Sequence, residues 1–320
     1  MTDCLSCGRF GGLWLPLVTP FRDDRLDEAS LRRLVRTYAG AVDGLVLGAT
    51  TGEGLALSPD ELRRVLQAAA DERAASGAST PILVGLAGAV TAQVIAALRA
   101  AEAWPGDGFL VSCPSYVRPS QDGLRRHFEA IADSTRRPVL VYNIPYRTGV
   151  NMANDTLIAL AERPNIVGVK DCCADPAQTL DLIARRPPGF AVLAGDDASL
   201  LDAVSAGADG GITASAHLDP AGFSRLLALA ADGRGDEAKA LWRDRLAAIP
   251  ALLFAEPNPA PLKYALWRRG LIDTPDLRLP MTPVSDALAR RLDQALAAWG
   301  GGAQPSRIDS STSPPNGTDR

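Results

Sequence analysis

Lys170 is the strongest candidate for a reactive residue in this chain. It is one of only three lysines in 320 residues, and it ends an apolar run. The run, residues 166–169, predicts a buried strand. A lysine at the end of such a strand loses water, and desolvation lowers the pKa of its amine from about 10.4 toward neutrality. The neutral amine can then attack a carbonyl and form a Schiff base. The structural alternative is a side chain that reaches solvent or pairs with Asp171.

Side chains of three kinds at the ends of other apolar runs could act with such a lysine. Tyr142 and Thr50 could relay protons while a carbinolamine loses water and an enamine forms. Thr51 and the neighbouring backbone N–H groups could hold a small carboxylate, and Arg147 could bind a second carboxylate with two hydrogen bonds. Each residue also has an ordinary structural alternative: a core tyrosine, a helix cap or a loop ion pair.

The composition of the chain argues against several other classes of function. A net charge of -4 and a pI of about 5.3 provide no basic surface for nucleic acid or for an anionic membrane. The longest apolar stretches, such as residues 13–18 and 247–255, are far shorter than the roughly 20 residues that a bilayer requires. The first residues show no export signal, so we expect a cytoplasmic location.

Disulfide and metal chemistry have little support in the sequence. Five cysteines, an odd number, are typical of reduced thiols in a chain of this length. Cys4 and Cys7 form a CxxC, but no second CxxC and no nearby histidine accompany them, so we expect no zinc site. His127 and His217 are the only histidines, which rules out a three-histidine metal site and leaves few candidates for a Ser-His-Asp arrangement.

Eight short apolar runs must position the reactive side chains. They are residues 13–18, 44–48, 82–86, 109–112, 139–143, 166–170, 191–195 and 211–215. Their nearly continuous apolar character predicts parallel strands buried on both faces, and their spacing is that of β-α units. We therefore predict a closed (β/α)8 TIM barrel. A doubly wound open sheet is the alternative, but the first β-α turn lacks GxGxxG.

Helix signals lie between and after these runs. Ser58, Pro59 and Glu61 form a capping box, and Asp175 and Asp219 each precede a proline in a similar helix start. Beyond residue 233 the strand signals stop, and helices are predicted at residues 236–253 and 286–299. We expect an N-terminal extension at 1–11, the barrel at 12–233, a C-terminal helical domain at 234–299 and a disordered tail at 300–320.

Active sites of such barrels lie at the C-terminal ends of the strands. The residues predicted there are Thr19, Thr50, Thr51, Tyr116, Arg118, Tyr142, Arg147, Lys170, Gly195 and Ile212. A single mouth would therefore combine an amine, phenols, hydroxyls and a guanidinium, with Gly195 and Ile212 among the substrate-binding positions.

Seven blocks in order along the chain carry a resemblance. They are GATTGEG at 48–54, PSYVRPSQDGLRRHF at 114–128, YNIPYRTG at 142–149, GVKD at 168–171, AGDDA at 194–198, EPNPAPLK at 256–263 and LRLPMTP at 277–283. From about residue 12 to residue 299 the chain resembles the dihydrodipicolinate synthase family of pyruvate-dependent class I aldolases.

The resemblance implies specific roles for the candidate residues. Lys170 would form the Schiff base with pyruvate, and Tyr142 would donate and accept protons. Thr50 and Tyr116 would complete the relay, with Tyr116 supplied by a neighbouring subunit across a tight dimer. Thr51 and the backbone of Ile212 would bind pyruvate, and Arg147 would bind the carboxylate of aspartate semialdehyde.

The resemblance also implies a reaction and an assembly. Pyruvate and L-aspartate-4-semialdehyde would condense to 4-hydroxy-tetrahydrodipicolinate, the branch point to lysine and diaminopimelate. No metal or organic cofactor would be required, and the expected assembly is a homotetramer built as a dimer of dimers.

Several positions depart from the family pattern, chiefly on the aldehyde side. Tyr146 fills a position that is usually small, and Cys172 and Cys173 stand where small hydroxyl residues are common. Residues matching the lysine-inhibition site of regulated members are Pro59, Leu62, Ala89, Gln93 and Ser115, so we predict weak or absent inhibition by lysine. The alternatives are another 2-keto-acid aldolase or dehydratase of the superfamily, acting on a keto-deoxy sugar acid or a 4-hydroxy-2-oxo acid, and a catalytically silent binding protein. Arg147 favours the semialdehyde.

Overall fold

The computed structural model of the protein describes residues 10–299. Most of the predicted N-terminal extension, including Cys4 and Cys7, and the whole predicted tail at residues 300–320 lie outside the described residues. None of the helices within residues 10–299 is long and apolar enough to cross a bilayer.

Eight parallel strands close into a barrel in chain order, with the first strand paired to both the second and the eighth. They are β1 (Gly12–Pro16), β2 (Gly44–Leu47), β3 (Ile82–Leu86), β4 (Gly108–Ser112), β5 (Val139–Asn143), β6 (Ile166–Asp171), β7 (Ala191–Ala194) and β8 (Gly210–Ile212). The predicted TIM barrel is confirmed, and the open doubly wound sheet is wrong.

The eighth strand is shorter than the predicted run at 211–215. The N–H of Thr213 still donates to the Trp14 carbonyl of β1, but the N–H groups of Ala214 and Ser215 donate to the carboxylate of Asp197 and not to a neighbouring strand. A short 3-10 turn, Ser215–His217, follows directly.

The helices surround the barrel and continue beyond it. They are α1 (Glu28–Tyr38), α2 (Pro59–Ala75), α3 (Thr91–Ala101), α4 (Gln121–Ala132), α5 (Pro145–Thr148), α6 (Asn154–Leu160), α7 (Pro176–Arg185), α8 (Leu200–Ser205), α9 (Pro220–Ala231), α10 (Gly235–Leu241), α11 (Ala248–Leu253), α12 (Ala260–Arg268) and α13 (Asp286–Trp299). The capping box at Ser58 and the aspartate caps at Asp175 and Asp219 are confirmed.

The C-terminal helices differ from the prediction in two places. The helix predicted at 236–253 is divided by a π-helical turn, Trp242–Leu246, into α10 and α11. Helix α12 was not predicted, because residues 257–261 are rich in proline, which usually interrupts a helix. Pro261 lies in the first turn of α12, where a missing N–H leaves no hydrogen bond unmade. A short antiparallel hairpin was also not predicted; each of its strands, Phe21–Arg22 and Arg25–Leu26, has two residues.

Two apolar clusters hold the barrel together. One lies between the strands and the helices and includes Val139 and Val141 of β5, while the other fills the barrel and includes Leu140 and Tyr142 of the same strand. Side chains of a strand alternate between its two faces, so this division directs Tyr142 into the barrel. Lys170 is the register partner of Tyr142 on β6 and faces the same way.

Candidate active site

Lys170 is buried, with only 5% of its surface exposed. Its Nζ lies 4.3 Å from the centre of the Tyr142 ring. Burial lowers the pKa of the amine below its ordinary value, and the nearby Arg147 adds to this effect, whereas the nearby Asp197 opposes it. A larger fraction of Lys170 is therefore neutral, and hence nucleophilic, near neutral pH than of a surface lysine.

The structural alternative for Lys170, a pair with Asp171, is wrong. Asp171 points to the opposite face of β6, where its carboxylate accepts hydrogen bonds from Thr179 Oγ1 at 2.7 Å and Asn143 Nδ2 at 3.2 Å. Within residues 10–299, no carboxylate forms an ion pair with Lys170. No carboxylate in this part of the chain therefore lies within ion-pair distance of the amine, and the charge of Asp197 only partly offsets the effect of burial.

Tyr142 provides the acidic group next to this amine. Its side chain is 5% exposed, and burial raises its pKa well above 10, although a hydrogen bond with Thr50 opposes the shift. The phenol is therefore protonated at neutral pH. Thr50 lies in the loop after β2, so its hydrogen bond with Tyr142 connects the C-terminal ends of β2 and β5.

Thr51 is buried beside Thr50, and contacts with several parts of the chain hold the loop that carries it. Its Oγ1 accepts a hydrogen bond from Asn258 Nδ2 at 3.0 Å, and the neighbouring Gly52 carbonyl accepts one from Thr19 Oγ1 at 2.7 Å. Glu53, in a left-handed conformation with φ of 51°, forms a buried ion pair with Lys263. Asn258 was not predicted as a site residue, although it lies in the block EPNPAPLK.

Gly195 lies directly after β7, against the stem of Lys170. A Cβ at this position would lie 2.5 Å from Cys172 Sγ and 2.8 Å from Lys170 Cγ. Only glycine therefore fits without displacing the amine. The Cys172 thiol is also buried here, and burial raises its pKa to about 12, so it is a neutral part of the wall. Ile212, at the end of β8, is buried in the same barrel cluster as Tyr142.

Asp197 is a second residue near the amine that sequence reasoning missed. It is fully enclosed in the 3-10 turn Asp197–Ser199, and it accepts hydrogen bonds from the N–H groups of Ala214 at 3.2 Å and Ser215 at 2.5 Å. Burial raises its pKa to about 6, and Lys170 is among the charges that act in the other direction. The AGDDA block contains this residue, but its two adjacent aspartates do not reveal which one points inward.

Two predicted residues lie at the surface of the single chain. Tyr116 is 92% exposed, with φ of 71°, and its N–H donates to the Thr148 carbonyl at 3.1 Å. Arg147 is exposed on α5, where its guanidinium carbon lies 5.3 Å from the centre of the Tyr146 ring. The structure therefore gathers the amine, the buried phenol and the two threonines in one site, whereas Tyr116 and Arg147 lie at its rim.

A desolvated lysine beside a protonated phenol, at the C-terminal mouth of a parallel barrel, defines a Schiff-base lyase site of the class I aldolase type. The comparisons with known proteins agree. A model of the dihydrodipicolinate synthetase family matches residues 9–299, and the chain belongs to this family. The resemblance inferred from the sequence blocks is confirmed.

Individual relatives are similar over nearly their whole length. The chain is 40% identical to 4-hydroxy-tetrahydrodipicolinate synthase 2 of Clostridium acetobutylicum, over 89% of this chain and 99% of that protein. It is 41% identical to the 4-hydroxy-tetrahydrodipicolinate synthase of Xanthomonas axonopodis pv. citri, over 89% and 93%. The crystal structure of dihydrodipicolinate synthase from Acinetobacter baumannii complexed with pyruvate superposes with a TM-score of 0.85 at 36% identity, covering 90% of this chain and 98% of that one.

Proposed function

We propose that this chain condenses pyruvate with L-aspartate-4-semialdehyde to 4-hydroxy-tetrahydrodipicolinate, in the biosynthesis of lysine and diaminopimelate. The observation that carries the proposal is the buried amine of Lys170 against the ring of Tyr142. The names of the relatives and the pyruvate bound to the Acinetobacter baumannii enzyme support the choice of substrates.

The first half of the reaction uses the amine and the relay. The neutral amine of Lys170 attacks C2 of pyruvate, and the resulting carbinolamine loses its hydroxyl as water when Tyr142 donates a proton. The iminium then loses a proton from C3 to give an enamine. The phenolate of Tyr142 accepts this proton with the help of Thr50, which is hydrogen-bonded to it, so the phenol is restored for the next transfer.

The second half joins the carbon skeletons. C3 of the enamine attacks the aldehyde carbon, and Tyr142 donates a proton to the aldehyde oxygen as the new carbon–carbon bond forms. The amino group of the former semialdehyde then attacks C2 and displaces Lys170, which closes the ring and frees the enzyme. Pyruvate and semialdehyde thus yield the cyclic product and one water, and no redox change occurs. We propose no metal and no organic cofactor.

Substrate binding is proposed for residues around the amine and at the rim. Thr51 and the backbone near Gly195 and Ile212 hold the pyruvate carboxylate, and Arg147 binds the carboxylate of the semialdehyde. Tyr116 reaches out of its own subunit, since its side chain is almost fully exposed on a backbone fixed by Thr148. We propose that it completes the relay of a neighbouring subunit across a tight dimer, within a cytoplasmic homotetramer.

Each of the two proposed domains of the chain has its own part in this reaction. The barrel at residues 12–233 supplies the amine, the relay and the carboxylate sites, and the helical domain at 234–299 supports the loop that carries Thr51. The extension at 1–11 and the tail at 300–320 have no proposed part in catalysis.

A different keto acid substrate is the second candidate function. Tyr146 lies over the guanidinium of Arg147 and occupies the aldehyde side of the site, so its bulk could select a partner other than the semialdehyde. A keto-deoxy sugar acid has less need of a cation there, and the retained Arg147 therefore favours the semialdehyde. A catalytically silent protein would have no need of a buried amine and relay.

The shared first step is tested by trapping. Incubation with pyruvate and borohydride, followed by intact mass measurement, should add one reduced pyruvate to the wild type and none to Lys170→Ala. Lys239→Ala, which removes an exposed lysine, is the control and should be trapped fully. An adduct that persists in Lys170→Ala would overturn the role of this lysine.

The aldehyde partner is tested by turnover. Purified wild-type protein should consume pyruvate only when aspartate semialdehyde is added. Formation of the cyclic product is monitored with a coupled reductase. Release of pyruvate from a keto-deoxy sugar acid, without condensation of the semialdehyde, would instead establish the second candidate. Trapping without either activity would indicate a different aldehyde.

A further inference from the structure

Asn258 makes a direct contact with the candidate pyruvate site from a distant part of the chain. Its Nδ2 donates to Thr51 Oγ1 at 3.0 Å, across a separation of 207 residues, and both side chains are buried. A hydroxyl can accept hydrogen bonds while it donates only one. With a lone pair of Thr51 Oγ1 occupied by the amide, the hydroxyl proton must point elsewhere.

Thr51 has no protein acceptor for that proton among residues 10–299. The proton is therefore available to a ligand, and a carboxylate is the acceptor that benefits most from it. An amide donor on the oxygen also polarises the hydroxyl, because hydrogen bonds in a chain strengthen one another. Asn258 thus both fixes the direction of the Thr51 hydroxyl and makes it a better donor.

The chain near Asn258 makes further contacts with the loop that carries Thr51. Lys263, fully buried in α12, forms an ion pair with Glu53, two residues beyond Thr51, and its Nζ also donates to the Asp276 carbonyl at 2.8 Å. The N–H of Arg278 lies 3.4 Å from the Glu53 carboxylate. These bonds hold the amide in place, which a positioning group requires.

The neutrality of the Asn258 side chain also matters. A carboxylate of the same shape would accept the Thr51 proton, reverse the direction of the hydroxyl and place a negative charge near a bound anion. We propose that Asn258 is a positioning residue that orients the Thr51 hydroxyl toward the carboxylate of pyruvate. This inference rests on the proposed function, since it needs a keto acid bound to Lys170.

The test compares variants by the pyruvate concentration that gives half-maximal borohydride trapping, by kcat with the aldehyde and by melting temperature. Asn258→Asp keeps the shape of the side chain and should raise the half-maximal pyruvate concentration by about tenfold or more, because a hydrogen bond to a charged group is lost. Asn258→Ala should have a smaller effect in the same direction. At saturating pyruvate, kcat should change much less than the half-maximal concentration.

Two further variants separate positioning from folding. Asn154→Ala removes another buried asparagine, which bonds Gln178 and Asp181 in the helical layer, and should lower the melting temperature while the half-maximal pyruvate concentration stays unchanged. In a Thr51→Val background, Asn258→Ala should have no further effect on trapping, because the hydroxyl it orients is gone.

Three outcomes decide the matter. Wild-type half-saturation in both Asn258 variants would overturn the proposal, even if their melting temperatures fall, as would additive effects with Thr51→Val. A wild type that pyruvate and borohydride do not trap would reject the proposed function itself.

Discussion

Lys170 Nζ lies over the face of the Tyr142 ring, 4.3 Å from its centre, because the two residues are register partners on β6 and β5. The negative face of an aromatic ring attracts a cation, whereas burial favours the neutral amine. Burial has the larger effect in the free protein, since the pKa of Lys170 is lowered. Once the Schiff base with pyruvate has formed, this nitrogen carries the positive charge of an iminium, and the same ring stabilises that charge.

The ring and the hydroxyl of Tyr142 can be separated by Tyr142→Phe. This variant keeps the ring over Lys170, so it should still be trapped by pyruvate and borohydride, but more slowly, because the phenol also donates the proton that dehydrates the carbinolamine. It loses the proton donor, and kcat should fall by about 100-fold or more. Tyr38→Phe is the control, since it removes a buried hydroxyl bonded to the His217 carbonyl and should keep full turnover. Unchanged turnover in Tyr142→Phe would remove the phenol from the mechanism.

Gly195→Ala should slow trapping more than the addition of a single methyl group suggests. The added Cβ would lie within 3 Å of both Lys170 and Cys172, so the lysine stem must move. We expect at least about a tenfold fall in the trapping rate, as overpacking of a tight site usually displaces its side chains. Gly235→Ala, where a Cβ meets no atom within 4 Å, is the matched control. Equal trapping in the two variants would contradict this account of Gly195.

Asp197→Asn should shift the pH dependence of Schiff-base formation. The negative charge of Asp197 raises the pKa of Lys170, so its removal lowers that pKa further. The neutral amine then persists to lower pH, and the acidic limb of the cyanoborohydride trapping rate should move downward in pH. Asp196→Asn removes the neighbouring exposed charge, which water screens, and should leave the profile in place. An upward shift in Asp197→Asn would refute the electrostatic role.

The two histidines should make the protein sensitive to acid. Both are buried, and burial lowers the pKa of His127 and of His217 to about 4, below the value of about 6.5 in an unfolded chain. Their contribution to stability is present above about pH 6.5 and is lost as the pH falls toward 4, because the unfolded state binds more protons.

The expected loss for each histidine is about 2 kcal/mol between about pH 7 and about pH 5. His217→Asn retains a donor for the Ala214 carbonyl, which His217 Nδ1 contacts at 2.8 Å, and removes the titrating group. The unfolding free energy of this variant, measured with urea, should depend less on pH than that of the wild type. An unaltered slope would show that His217 is not a source of the sensitivity.

Lysine should not inhibit this enzyme at low concentration. The positions that match the regulatory site are Pro59, Leu62, Ala89, Gln93 and Ser115, and none of these side chains carries a charge to bind the amine or the carboxylate of lysine. We expect no saturable inhibition in the coupled assay below about 1 mM lysine, a limit that corresponds to weak binding. Inhibition by micromolar lysine would place a regulatory site elsewhere.

The sequence predicted the barrel and the centre of the site because both depend on local signals. Apolar runs and helix caps define the β-α units, and Lys170 and Tyr142 stand at the ends of two such runs. Asn258 and Lys263 could not be placed by these signals, since their partners lie more than 200 residues away in the chain. Asp197 was missed because a run of two aspartates does not show which side chain the turn directs inward.

The long-range bonds of the loop after β2 also set an order of events during synthesis. The last barrel strand ends at Ile212, but the groups that fasten Thr51 and Glu53 arrive with Asn258 and Lys263. Domains fold from the N-terminus as the ribosome adds about 5–20 residues each second, so these groups follow the last strand by several seconds. A nascent chain can therefore close its barrel before the groups that hold Thr51 and Glu53 are present, and the loop after β2 reaches its final arrangement late in synthesis.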